Sequence, residues 1–342
     1  MSFEEVNLFA QQAANRRKSR WIVAAFIAFF AWLGFGGDLI IWLSRGEKGA
    51  FLPPGLLGIL MTVFAFGMIA YVRRTGAEKV LWSTGARRLD EPQTEQEQRF
   101  RNVAEEMAIA AGVPMPTLWI INDPDPNAFA TGNEPAKSHV AVTSGLLTAL
   151  DRDELQAVIG HEYGHIKNLD TKLMTFLAAA VGAVVLMRDG MGRAIRYGFG
   201  HGGGRRRKGG SGGGGGQVVI ILLVIWLISW ILAPLVIQAL SLWVSRKREY
   251  LADAMSAQFT RNPLSLANAL EKIHGSHLPT ASIKAGVAHL CIDDPLGRKL
   301  DDRQGRWADA WATHPPMAMR IARLKAMGYQ ALKREGRLPA EA

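Results

Sequence analysis

The sequence contains a single cysteine, Cys291, so no disulfide bond can form within the chain. This excludes the disulfide-stabilised scaffolds of small secreted proteins and fits a reducing compartment, as it also fits a periplasmic protein without bridges. The first apolar segment, residues 21–44, follows a hydrophilic tail and lacks a short apolar region ending in a small-residue cleavage site. We therefore expect a retained membrane anchor rather than a removable signal peptide.

Acidic residues are fewer than basic ones, 30 against 40, which gives a net charge of +10. In a soluble protein this balance would indicate nucleic acid as a partner. Here the basic residues gather beside apolar segments: Arg16, Arg17, Lys18 and Arg20 before the first, and Arg73, Arg74 and Lys79 after the second. This positive-inside pattern predicts that the tail, residues 1–20, and the chain after residue 73 face the cytoplasm. We expect no specific nucleic-acid partner.

Long apolar runs are abundant, and 49% of the residues are hydrophobic. Residues 21–44 and 52–72 are each about as long as the roughly 20-residue helix that a bilayer core requires. Residues 218–244 are long enough as well, with Pro234 as a kink that membrane helices tolerate. Residues 173–187 would form a helix of only about 22 Å against a core of roughly 30 Å, so this segment either spans with help from its flanks or lies at the interface.

Residues 188–217 form a basic, glycine-rich loop whose composition prevents a packed core. It could be an RNA-binding segment of Arg/Gly type, but we favour contact with anionic lipid headgroups. If both neighbouring segments span, the loop lies outside the cell, against the positive-inside rule. The conflict disappears if residues 173–187 lie along the membrane, and the sequence leaves both topologies open.

The chain between and after the apolar segments is polar in character and predicts a soluble domain in two parts, residues 73–172 and 245–342. In the first part a helix-prone stretch, residues 91–112, precedes apolar runs at 117–121 and 140–143 that are separated by turn-forming residues. Helix, strands and a further helix follow one another, so we predict a small α+β unit.

The motif His161-Glu162-Tyr163-Gly164-His165 lies in a stretch with helical spacing of apolar residues. Two histidines four residues apart share one helical face and can bind a single Zn²⁺ at about 2.0–2.1 Å. Zinc lowers the pKa of a water molecule towards about 7, and Glu162 beside it can take the proton as general base. The alternative interpretation is a pair of helical histidines that only satisfy hydrogen bonds.

A catalytic zinc needs a third protein ligand and an open position for water. The metzincin pattern would require Gly and His at positions 168 and 171, where this chain has Asn168 and Thr171, so that class is excluded. Glu249 and Asp253 are four residues apart on one predicted helical face. We predict Glu249 as the third ligand and Asp253 as the acceptor that orients a ligating histidine. The alternative is a solvated charge pair with neighbouring basic residues.

These motifs resemble the HtpX family of membrane zinc metalloproteases and their relatives, the type I CAAX prenyl proteases. Two further stretches match that family, residues 127–132 (NAFATG) and residues 313–316 (THPP), so that the resemblance covers residues 100–325. It implies a mainly α membrane protein with a small α+β catalytic domain of the zincin (gluzincin) type.

The resemblance also implies roles for residues outside the zinc motif. Asn127, Ala128 and Phe129 correspond to the edge strand against which a substrate backbone lies, although on their own they suggest a turn before a half-buried strand. His314 corresponds to the residue that hydrogen-bonds the oxyanion, although a lone histidine in a loop is more often a surface residue. Arg320 corresponds to a family arginine, while the residue before it departs from the pattern.

We therefore predict a multi-pass zinc metalloendopeptidase of the inner (plasma) membrane, with one Zn²⁺ per chain and its site facing the cytoplasm. Its expected substrates are membrane or misfolded proteins, because the metal-binding helix directly precedes an apolar segment. The chain would then act in protein quality control. The alternatives are a processing protease for one substrate, or a membrane scaffold or chaperone with structural zinc.

Overall fold

The structure is a computed structural model that describes residues 8–45, 53, 55–176, 227, 248–276, 278, 282–283, 287, 290–293 and 315–334. The chain divides into a first unit of Met1–Arg16, Thr75–Ala179 and Leu240–Ala342, and a second unit of Arg17–Arg74 and Ala180–Ala239. The glycine-rich loop, His314 and nearly all of residues 218–244 lie outside the described residues. The described part is mostly helical with a small sheet, which confirms the mainly α prediction.

Two long helices, α1 (Leu8–Arg45) and α2 (Leu56–Ser83), are long and apolar enough to cross a membrane. The carboxylate of Asp38 in α1 accepts hydrogen bonds from the backbone amides of Leu57 (3.3 Å) and Gly58 (2.8 Å). The amides of a first helical turn have no acceptor within their own helix. The apolar helix α1 therefore contains a carboxylate that caps the start of α2.

Large apolar side chains are exposed along both of these helices. They include Trp21, Trp32, Phe35 and Trp42 on α1 and Ile59, Leu60, Val63 and Phe66 on α2. Contiguous exposed apolar surface of this kind is rare in soluble monomers and marks contact with another apolar phase. Their length and composition agree with the predicted spans at residues 21–44 and 52–72.

The first unit contains a four-stranded sheet. Its strands are β1 (Arg87–Arg88), β2 (Thr117–Ile121), β3 (Ala128–Gly132) and β4 (Ser138–Thr143), in the order β1-β2-β4-β3. β2 pairs with β4 in parallel and β3 pairs with β4 antiparallel, with Phe129 opposite Ala141. The predicted run at 117–121 is confirmed, and β4 begins two residues before the predicted run at 140–143. β3 is an edge strand of this sheet.

Helices cover the sheet and carry the functional residues. They are α3 (Glu95–Ala111), α4 (Ser144–Ala149), α5 (Arg152–Lys167), α6 (170–176), α7 (248–260), α8 (Pro263–His274) and α9 (Met317–Arg334). The buried faces of α3, α4, α5, α8 and α9 share one core with the sheet, and Phe259 of α7 packs against it. This core includes Phe100, Val142, Leu155, Leu270 and Leu324. The two sequence regions 75–179 and 240–342 therefore fold as one unit.

The start of α5 is fixed by a reciprocal capping box. Asp151 accepts a hydrogen bond from the Glu154 amide (2.9 Å), and the Glu154 carboxylate accepts one from the Asp151 amide (3.0 Å). Farther along, the buried Tyr163 hydroxyl donates to the Ala104 carbonyl at 2.8 Å. The bond from Tyr163 ties α5 to α3.

Glycines allow α5 and α7 to approach closely. A Cβ at Gly160 would lie 3.2 Å from Ser256 Oγ, and one at Gly164 would lie 3.2 Å from the Ala252 Cα. These distances are shorter than ordinary van der Waals contacts, so side chains at either glycine would push the helices apart. The two glycines thus bring Glu249 and Asp253 of α7 within reach of the α5 histidines.

Candidate metal centre

Three side chains from α5 and α7 converge, namely His161, His165 and Glu249. The two imidazole Nε2 atoms lie 3.2 Å apart, and Glu249 oxygens lie 3.6 Å from His161 Nε2 and 3.5 Å from His165 Nε2. Around a tetrahedral zinc with bonds of about 2.0–2.1 Å, ligand atoms are about 3.3 Å apart. The spacing of these three donors therefore fits one zinc ion.

Glu162 lies beside these donors and is 1% exposed. Its Oε2 has no hydrogen-bond partner among the residues that the structure describes. Burial raises the pKa of this carboxyl group, and the neighbouring rings of His161 and His165 oppose that shift. A buried oxygen of this kind calls for a cation or a water molecule, which agrees with a metal held next to it.

Asp253 lies behind the first histidine. Its Oδ1 lies 2.9 Å from His161 Nδ1, on the side of the ring opposite the converging Nε2. Burial lowers the pKa of His161, but the carboxylates of Asp253 and Glu249 outweigh it and raise that pKa to about 9. Burial likewise acts to raise the pKa of Asp253, but Arg320 and His161 hold it below its ordinary value. Asp253 is therefore an ionised carboxylate in close contact with the His161 ring.

Arg320 of α9 is fully buried behind this pair. Its Nε and Nη2 donate to the two Asp253 oxygens at 3.0 and 2.7 Å, and Nη1 lies 3.4 Å from Glu249. Nη1 also donates to the Ile292 carbonyl at 3.0 Å. Burial would lower the pKa of Arg320, but these carboxylates raise it, so the guanidinium stays charged. It compensates two acidic groups that would otherwise be buried without a cation.

Asp170 was missed by the sequence reasoning. Its Oδ2 lies 3.1 Å from His165 Nδ1, so each histidine has a carboxylate behind it. Leu169, between α5 and α6, has a left-handed φ of 61°, which ends α5 and lets α6 begin at Asp170. The available signal was an aspartate placed just after the motif and just before an apolar segment.

The residues predicted to hold substrate lie in and next to the edge strand β3. Asn127 is buried and its side chain donates to the Asp293 carbonyl at 2.9 Å. The Ala128 carbonyl accepts from the Ile292 amide at 2.9 Å, and Phe129 packs in a second apolar cluster. The backbone of Ala130 lies close enough to the Glu162 carboxylate to act against the rise in its pKa. The edge strand thus lies beside the candidate catalytic carboxylate.

Comparisons with known proteins show the family of this chain. The profile of peptidase family M48 matches residues 94–328. A protease HtpX homolog of Caldanaerobacter subterraneus subsp. tengcongensis is 37% identical over 322 residues, 94% of this chain and 98% of the relative. A protease HtpX homolog of Dictyoglomus thermophilum is 38% identical over 325 residues, 94% of this chain and 96% of the relative.

Among solved structures, the crystal structure of S. mikatae Ste24p matches with 18% identity and a TM-score of 0.42, covering 89% of this chain and 66% of that one. The sequence matches are far stronger than this structural likeness, and they extend over both parts of the predicted catalytic domain. On the strength of these sequence matches, the chain belongs to peptidase family M48 and is an HtpX-like metalloprotease.

Proposed function

We propose that this chain is a membrane-anchored zinc endopeptidase in which His161, His165 and Glu249 hold one Zn²⁺. The observation that carries the proposal is the convergence of these three donors beside a buried glutamate, one of whose oxygens has no hydrogen-bond partner among the described residues. Two imidazoles and one carboxylate are a common ligand set of catalytic zinc, which leaves a position open for water. Zinc in this position would polarise a peptide carbonyl and acidify a water molecule.

Glu162 acts as the general base and acid in this proposal. It follows directly after one ligand in α5 and is shielded from solvent. Its carboxylate takes the proton of the attacking water and returns it to the departing amine, so that each peptide bond cleaved leaves the enzyme unchanged. His314 would hydrogen-bond the oxyanion of the tetrahedral intermediate.

Asp253, Asp170 and Arg320 position the ligands. Asp253 and Asp170 would each hold the Nδ1–H group of one histidine and so direct the Nε2 lone pair to the metal. Arg320 keeps Asp253 ionised through two hydrogen bonds. The distance of 3.4 Å to Glu249 limits the rotation of that carboxylate as well.

The substrate backbone would add to the edge strand at Asn127, Ala128 and Phe129. Main-chain hydrogen bonds of this kind give affinity without strict sequence choice, which suits an enzyme with many substrates. Because the Ala128 carbonyl accepts from the Ile292 amide, a substrate pairing at Ala128 must exchange that bond for its own. The neighbouring Ala130 lies near Glu162, so a substrate paired with this strand would lie near that carboxylate.

We place the chain in the inner membrane as a multi-pass protein with its site at the cytoplasmic face. The exposed apolar surfaces of α1 and α2 and the basic residues at their ends support this placement. We further propose that it cleaves membrane or misfolded proteins in quality control and that its glycine-rich loop contacts anionic lipid headgroups. The predicted domain organisation, with one catalytic unit interrupted by apolar segments, belongs to the same proposal.

Metal removal and replacement test the proposal. We expect a chelator to abolish cleavage of casein and of a detergent-solubilised membrane protein by the purified full chain. One equivalent of Zn²⁺ should restore cleavage, because two imidazoles and a carboxylate suit zinc, whereas Mg²⁺ and Ca²⁺ prefer oxygen ligands. Restoration by Mg²⁺ but not by Zn²⁺ would contradict the zinc assignment. Full zinc occupancy without cleavage would favour the scaffold or chaperone, and cleavage of a single substrate would favour the processing protease.

A further inference from the structure

Asn15 lies near the start of α1, far in sequence from the metal-binding helix, and is 3% exposed. Its Nδ2 donates to Asp170 Oδ1 at 2.8 Å and to the Asn168 carbonyl at 3.1 Å. Both neighbours are acceptors, so the NH2 group of the amide must face them and uses both of its hydrogens there. The side-chain amide of Asn15 therefore has a defined orientation, with its NH2 group donating to both acceptors.

Asp170 is the group through which Asn15 reaches the candidate metal centre. Its Oδ2 faces His165 Nδ1 at 3.1 Å and the Asn168 side-chain amide at 3.2 Å. Its Oδ1 faces Asn15, with Arg248 farther away at 3.5 Å. Asn15 is thus the nearest donor to the oxygen that does not touch the histidine, and it limits rotation of the carboxylate.

We propose that Asn15 is a positioning residue for the zinc ligand His165 and acts through Asp170. The family match begins at residue 94, so Asn15 lies outside it. The same helix contains the candidate membrane span Ala13–Leu43. The helix predicted to anchor the protein therefore also completes the hydrogen-bonded shell of its metal site.

This inference rests on the proposed function, because it requires His165 to bind zinc. Partners behind a metal-bound histidine typically change metal affinity by about 10- to 100-fold when mutated. Asn15 contacts Asp170 and not the histidine itself, so we expect an effect at the lower end of that range. Asn15→Leu removes both donors at similar size, and Asn15→Asp places a second carboxylate against Asp170.

The test measures the Zn²⁺ dissociation constant of the full chain in detergent by competition with a chelator. Asn15→Leu should weaken binding about tenfold, and Asn15→Asp should weaken it more. Asn15→Gln keeps the amide and should recover part of the affinity. The same changes at Asn102, an exposed residue of α3 that accepts a hydrogen bond from Gln98, are the matched control and should leave affinity unchanged.

A double-variant comparison separates positioning from a general loss of stability. In the background of Asp170→Asn, the change Asn15→Leu should have little further effect on zinc affinity, whereas a general effect would persist. Wild-type affinity in the Asn15 variants, or an undiminished effect in that background, would overturn the inference. The variant His165→Ala separates failure of this inference from failure of the proposed function. If His165→Ala loses zinc while Asn15→Leu does not, only this inference fails. If His165→Ala binds zinc normally, the proposed function fails with it.

Discussion

The variant Glu162→Gln is expected to lose peptide cleavage by about a thousandfold while it still binds one zinc ion. A positioned general base contributes about 10²- to 10⁴-fold to a rate, and glutamine keeps the size of the side chain but cannot accept the proton. The ligands His161, His165 and Glu249 are unchanged by this substitution. The measurement is kcat/KM on a solubilised membrane protein, together with the zinc content of the same preparation.

The control for this variant is Glu105→Gln, the same change at an exposed glutamate of α3. It should leave both the rate and the zinc content at their wild-type values. An unchanged rate in Glu162→Gln at full zinc occupancy would exclude Glu162 as the base. Loss of both activity and zinc would show that Glu162 supports metal binding rather than proton transfer.

The variant Arg320→Leu is expected to lower the free energy of unfolding by about 3–5 kcal/mol, because it leaves buried carboxylates without their cation. Arg320 is fully buried and makes two hydrogen bonds to Asp253 and one to the Ile292 carbonyl. The measurement is chemical unfolding of the solubilised protein, followed by tryptophan fluorescence. Zinc affinity should fall as well, because Asp253 would no longer be held against His161.

Arg323→Leu on the same helix is the matched control. Arg323 is exposed and stacks on the Tyr250 ring at 3.8 Å, a contact worth roughly 0.5–1 kcal/mol at the surface. Adding Asp253→Asn to Arg320→Leu should recover part of the lost stability, since it removes one uncompensated charge. A loss below about 1 kcal/mol in Arg320→Leu would contradict the proposed charge balance of the site.

The sequence predicted which candidate ligands share a helical face, because that spacing is local. Histidines four residues apart share a helical face whatever the rest of the fold does, and the same holds for Glu249 and Asp253. The strand at 117–121 and the order of helix and strands could be predicted equally well, since they depend on patterns within a few residues. The resemblance to a known family then indicated that two helices far apart in the chain contribute to one metal site.

Contacts that depend on the tertiary fold were not predictable in the same way. Asp170 contacts His165 across a turn in which Leu169 has a left-handed φ, and no short pattern indicates a positive φ at a leucine. Asn15 belongs to a helix that composition describes only as a membrane anchor. Arg320 was matched by the family pattern alone, since its full burial against Asp253 follows from the packing of α9.

X-ray absorption spectroscopy at the zinc edge tests the central claim most directly. The zinc-loaded protein should show two imidazole nitrogens and oxygen ligands at about 2.0–2.2 Å, without sulfur. In the variant Glu249→Ala the two imidazoles should remain in whatever zinc is bound, and the protein carboxylate should be lost from the ligand shell. A wild-type spectrum with a third imidazole, or a ligand shell that is identical in Glu249→Ala, would contradict the assignment of the metal centre.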